Sequence, residues 1–219
     1  MKKWTLVIIL AVLICGLAIF SLLPAGRPMS AGSEQRVTVS QFLGELGRDY
    51  DRFFTIEEAW KQGEAMNALE SQLVQRSSAG KDLTARLEQL HRSVPNLTFR
   101  SSESNSRIVH IIDARLAQQN TYALESVIKH IDFTGPVDDL VRAVAQQGIS
   151  VTPQSTMFLN EFKDYSTVAH LQGNNIKVRD ALSNSISLRR GSRILWIART
   201  KIGQKEVTRI YYPSPGANQ

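Results

Sequence analysis

After residue 36 the chain alternates between two rhythms. Val37 and Val39 alternate as in a strand, Phe42, Leu43 and Leu46 share one helical face, and Phe53–Ile56 has strand composition. Ser40 is the expected helix N-cap and Gly47 lies near the helix stop. Residues 63–93 then carry helical spacing. Met66, Leu69, Leu73 and Val74 come before the break at Ser77–Gly80, and Leu83, Leu87 and Leu90 after it, with Pro95 as a stop. LTFRSS and RIVHIID flank Glu103–Ser106 as a hairpin, and residues 114–126 form a connection with some helical character.

The second half repeats the order. Residues 127–134 read as a strand, and Pro136 suits the first turn of a helix on which Val137, Leu140, Val141 and Val144 are apolar. Asp138 and Asp139 complement the positive end of that helix's dipole, Gly148 stops it, and Ile149–Thr152 is extended. A loop carries Phe158, Phe162 and Tyr165. Val168–Gly173 alternates as a strand, Asn174-Asn175 reads as a turn, and a helix follows from Val178 to about Ile186. RILWIART and EVTRIYY flank Gly203–Lys205 as a closing hairpin. Residues 37–57 match 131–153 in kind, and 80–113 match 174–212, so the pattern predicts a duplicated unit.

Trp4–Leu23 is a run of 20 residues whose clearly polar members are Thr5 and Ser21, preceded by Lys2 and Lys3. A membrane-crossing helix needs about 20 apolar residues, more than a signal-peptide core uses. The flank SLLPAGRPMSAGS offers no A-x-A cleavage pattern, and Ile14 is too large to precede a lipidated Cys15. The segment therefore reads as an uncleaved signal anchor with a cytoplasmic N-terminus. Cleavage and secretion is the second choice. Cys15 is the single cysteine, so nothing beyond the anchor has a disulfide or cysteine metal cage available.

Charge is uneven. Residues 31–175 hold 14 Lys/Arg and 18 Asp/Glu, whereas residues 176–219 hold 9 and 2. The densest cluster, Arg189-Arg190-Gly191-Ser192-Arg193, lies beside Trp196. Arg189, Arg190, Arg193 and Trp196 are the candidate interaction surface, with a core Trp196 and a turn of arginines as the alternative. An extracytoplasmic setting argues against nucleic acid and leaves sugar chains, anionic lipid or an acidic protein. His91, His110, His130 and His170 are scattered, with no metal-binding spacing. Glu57-Glu58 and Asp138-Asp139 are sequence neighbours that point apart, not acid/base pairs, and Asp113 reads as a turn former ending a strand. No nucleophile elbow, phosphate loop or dinucleotide fingerprint occurs, so no catalytic residue, metal or cofactor is expected.

Leu140–Ala145, Val168–Gly173, Val178-Arg179-Asp180-Ala181-Leu182 and Arg193–Ala198 resemble the short N-terminal periplasmic domain of secretins and TonB-dependent receptors. The likeness covers residues 127–212 and, more faintly, 37–113. No secretin or receptor barrel follows, and Ser183-Asn184-Ser185 replaces the apolar residues common after the Ala-Leu pair. The resemblance implies a binding module on an envelope protein.

The expected fold class is α+β. Two small mixed α/β sandwich-like domains, each strand–helix–strand then helix–hairpin, follow an N-terminal transmembrane helix. The expected divisions are 1–24 anchor, 25–36 linker, 37–126 first domain, 127–213 second domain and 214–219 tail. The expected function is a non-catalytic binding or assembly module of a bacterial envelope. It is single-pass through residues 4–23, with the bulk of the chain periplasmic and an envelope protein as partner. The alternatives are a secreted or anchored enzyme with dispersed site residues, or a small-ligand sensor whose pocket uses Phe158, Phe162 and Tyr165.

Overall fold

Strand β1 (Arg36–Thr38) runs straight into helix α1 (Val39–Asp49) because Thr38 and Gln41 cap each other. The Thr38 hydroxyl accepts from the Gln41 backbone N–H (3.2 Å), and the Gln41 amide oxygen accepts from the Thr38 N–H (3.0 Å). The cap is thus Thr38, two residues before the expected Ser40, and Val39 is already helical. The computed structural model describes residues 36–61, 69–76, 82–119, 121–153, 168–185, 193–203 and 207–212. The expected anchor, the Phe158–Tyr165 loop and the tail lie outside these residues. Among the described residues no helix is long and apolar enough to cross a membrane.

The remaining elements of the first half are β2 (Phe53–Trp60), β3 (Leu73–Gln75), α2 (Leu83–Ser93), β4 (Leu97–Ser101), β5 (Ile108–Asp113) and the short α3 (Ala114–Ala117). The hairpin, α2 and the partly helical connection form as expected. The helix expected at Leu69–Val74 does not. Leu69–Ser71 is a single 3-10 turn, and β3 pairs antiparallel with β1, Val74 against Val37. Val74 is buried while Leu73 and Gln75 are exposed, so a two-residue period hides inside apparent helical spacing.

The second half supplies β6 (Val127–Pro136), α4 (Val137–Ala145), β7 (Val151–Pro153), β8 (Val168–Lys177), α5 (Val178–Asn184), β9 (Ile194–Lys201) and β10 (Val207–Tyr211). Asn174-Asn175 is not a turn. β8 continues through it in one register with β6, from Val168 opposite Pro136 to Lys177 opposite Val127. Asn175 takes a left-handed conformation (φ 55°), which asparagine tolerates, and β8 absorbs it.

Six strands form one sheet in the order β4-β5-β2-β9-β10-β7. β4 and β5 are antiparallel and β5 and β2 parallel; β9 and β10 are antiparallel and β10 and β7 parallel. The half-sheet β9-β10-β7 therefore repeats β4-β5-β2, strand for strand. Likewise the β6–β8 ribbon repeats the β1–β3 ribbon. β2 and β9 join the copies in parallel, which reverses every strand of the second copy relative to the first. That half-turn sends the two sets of helices to opposite faces. On one face Phe42, Leu43 and Leu46 of α1 and Leu87 and Leu90 of α2 pack with Phe54, Ile56, Val109 and Ile111 of the sheet. On the other, Leu140, Val141 and Val144 of α4 and Ala181 and Leu182 of α5 pack with Trp196, Ala198 and Ile210.

The boundary expected at residue 126 thus separates two topological copies but not two domains with separate sheets. β2, the strand that ends the first unit, spends its second edge on β9, from Phe54 opposite Ile194 to Trp60 opposite Lys201. The mixed α/β content and the strand–helix–strand, helix–hairpin order are as expected in each half.

Candidate functional site

Glu57 and Glu58 sit side by side on β2 and face opposite sides of the sheet. The fully buried Glu57 carboxylate receives the Arg179 guanidinium in a fork, Nε to Oε1 (2.6 Å) and Nη2 to Oε2 (2.8 Å). The Tyr122 hydroxyl also donates to Oε2 (2.9 Å). Burial pushes the Glu57 carboxyl up, against the opposing pull of Arg179 and Tyr122. Three donors surround it, the environment of an ionised carboxylate. Burial also disfavours the Arg179 charge, but Glu57 and Glu125 outweigh it and hold Arg179 protonated. Its Nη1 reaches Glu125 (2.6 Å), which also takes Arg100 (3.0 Å) and lies near Lys177 (3.9 Å). Partial burial pushes the Glu125 carboxyl up, yet the Arg179 hydrogen bond and the nearby cations bring it below its usual value. Charges of alternating sign thus run from the core to the surface.

The outer end of this chain opens into a cleft of about 510 Å³, lined by Thr98, Phe99 and Arg100 of β4 with Leu116, Tyr122 and Glu125. The 102–104 turn beside it is fixed from the second half. Ser102 donates to Asp180 (2.9 Å), Asn184 donates to Ser104 (2.8 Å), and Lys177 pairs with Glu103 (3.4 Å).

β4 borders the cleft as an edge of the sheet. The Ala114 N–H donates to the Asn96 carbonyl (2.7 Å) and the Ser102 N–H to the Ile108 carbonyl (3.0 Å). These bonds, in the β4–β5 register, turn the even-numbered backbone groups of β4 inward and the odd-numbered ones outward. Leu97 is already engaged: its N–H donates to the Val94 carbonyl (3.3 Å) and His91 Nδ1 donates to its carbonyl (2.8 Å). The backbone groups of Phe99 and Ser101 face outward with no strand partner among the described residues. At the other edge β7 is three residues long and includes Pro153, which has no N–H to offer.

The sequence-derived surface divides. Arg189 and Arg190 lie outside the described residues. Trp196 is fully buried, its indole N–H donating to the Ser183 hydroxyl (3.2 Å), so it presents no ring to a partner. Arg193 is one-fifth exposed, at 22%, and pairs instead with Asp51, which also takes Arg107; Arg52 follows Asp51 in the chain. Neither companion belongs to a dense basic run. What links them is that each directly precedes a strand, and those strands lie together as β5-β2-β9.

The remaining candidates stay apart. His110 is buried and hydrogen-bonded through Nδ1 to the Thr55 hydroxyl (2.8 Å), and burial, with Arg179 and Arg100, pushes its pKa down to about 3. His130 pairs with Asn174 and His170 with Thr134. Asp113 caps α3 and holds Arg115 (2.7 Å), a structural role in line with its turn-forming reading. Glu58 accepts from the Leu69 N–H (3.0 Å) and from Arg199 (3.2 Å). Among the described residues no group of three His, Cys, Asp or Glu side chains could hold a metal ion. No protein-family model, curated protein or solved structure matches the chain.

Proposed function

We propose that the protein is a non-catalytic binding module of a bacterial envelope, anchored by residues 4–23 with its folded part outside the cytoplasm. We further propose that it takes an extended partner segment along β4. One observation carries the reading. β4 holds the place in the first copy that β9 holds in the second, and β9 is covered by a parallel strand whereas β4, among the described residues, is not. A strand added at Phe99–Ser101 extends the sheet as β2 does at β9, and its side chains drop into the adjoining cleft. The anchor and the envelope setting are supported by Lys2-Lys3, the apolar run behind them and the resemblance of residues 127–212 to envelope modules.

A photo-crosslinking amino acid at exposed Thr98 is expected to capture a protein in the native membrane. Ser101→Pro, which removes an outward N–H and no ladder bond, is expected to abolish that product without lowering the melting temperature. Capture unaffected by Ser101→Pro would refute edge docking. A reporter fused after Gln219 is expected to be active outside the cytoplasm and silent within it; activity inside would overturn the orientation.

A further inference from the structure

The corner at the starts of β5, β2 and β9 is a second surface, independent of the β4 edge. Arg107, Arg52 and Arg193 directly precede neighbouring strands spaced about 4.8 Å apart, so their backbones start side by side in a row. The backbone fixes the row: the Phe53 N–H donates to the Arg107 carbonyl (2.8 Å) and the Phe54 N–H to the Arg193 carbonyl (2.7 Å). Two guanidinium groups lie against the Phe53 ring, Arg107 at 5.3 Å and Arg193 at 4.9 Å from its centre. α1 gives way to them. A Cβ on Gly47 would stand 2.5 Å from Arg193 Cβ, so the bare glycine lets the arginine stem pass.

The row already holds one carboxylate. Asp51, in a left-handed conformation (φ 49°) and 64% exposed, accepts Arg107 Nη2 (2.7 Å) and Arg193 Nη1 (3.1 Å) on a single oxygen, Oδ1. Arg107 Nε is buried and finds no partner, and exposed Arg48 on the last turn of α1 adds a further cation. Arg48, Arg52, Arg107 and Arg193 stand against Asp49 and Asp51, four cations to two carboxylates. Planar, stacked arginines match carboxylate forks better than lysine point charges would. Among the described residues the large exposed apolar side chains, Leu73, Val127 and Val168, are on β3, β6 and β8 and not at this corner.

We infer that Arg52, Arg107 and Arg193 form a docking surface for an acidic protein segment, with Asp51 as an internal carboxylate that competes with it.

The test uses the full-length chain and fluorescein-labelled decaglutamate, followed by anisotropy at low salt. Arg52→Gln/Arg107→Gln is expected to weaken binding about tenfold. Asp51→Asn, by removing the competitor, is expected to tighten it about threefold, a gain that misfolding could not mimic. Unchanged affinity in either variant would overturn the inference. So would arginine-dependent binding to phosphatidylglycerol vesicles in the absence of decaglutamate binding, which would assign the row to lipid headgroups.

Discussion

Arg179 keeps its charge out of water because two carboxylates meet it, and Glu57 has no access to solvent at all. Arg179→Leu leaves Glu57 without its cation and is expected to cost about 3–5 kcal/mol, read from the urea midpoint. In Glu57→Leu/Arg179→Leu most of that loss should return, because the partnerless buried charge is gone. His110 makes a pH prediction. Its folded pKa of about 3 lies below the unfolded value of about 6.5, so protonation favours the unfolded chain. The His110 contribution is whole above about pH 6.5 and is lost toward pH 3, by up to about 1.4 kcal/mol per pH unit. Glu57 acts with the opposite sign: its raised pKa means that stability falls as pH rises from the unfolded carboxylate value through the folded one. Comparing wild type with His110→Gln isolates the histidine, and the variant's stability should fall less steeply with acid. Parallel curves would mean that His110 does not stay neutral in the fold.

At the scale of elements, α1 shows how local rules and tertiary contacts divide the work. Its start is set by the Thr38–Gln41 capping box and its course by apolar residues at helical spacing. Near its end, Gly47 opposes helix propensity for the sake of Arg193. Gly47→Ala should gain about 1 kcal/mol in propensity and lose about 1–3 kcal/mol to overpacking, so a lower melting temperature is expected. Periodicity shows α1, α2, α4 and both hairpins because each is defined by neighbours in the chain. It misplaces Leu73–Gln75 because the two-residue period of a three-residue strand is too short to stand out from helical spacing, and the strand exists through its partner β1. The arginine row was half legible: Arg193 stood out within a basic cluster, whereas Arg52 and Arg107 became its neighbours only through the order of the strands. Trp196 is open to two readings in the sequence, a core residue of its strand or part of an aromatic–basic surface. The core reading holds, because the bulge between β2 and β9 turns both Leu195 and Trp196 to the α5 side.

At the scale of the molecule, the two copies are bound by a central strand pair and by Arg179, Ser102 and Lys177 contacts that cross between halves. Residues 36–126 expressed alone would expose the β2 edge and the side of β2 that α5 covers. That fragment is expected to lack a cooperative melting transition, and the intact chain to unfold in one step followed alike by far-ultraviolet circular dichroism and Trp fluorescence. A stable, cooperatively melting fragment would show that the halves fold independently.

The parallel pairing of β2 with β9 also sets a timetable. Arg199 enters the growing chain 141 positions after Glu58, its ion-pair partner. During synthesis the first copy therefore waits with the long side of β2 uncovered. A β9 from another molecule can complete the same ladder. Rapid production is expected to yield exchanged dimers that size-exclusion chromatography resolves and that retain the monomer's melting temperature, since every strand in them has its native neighbour.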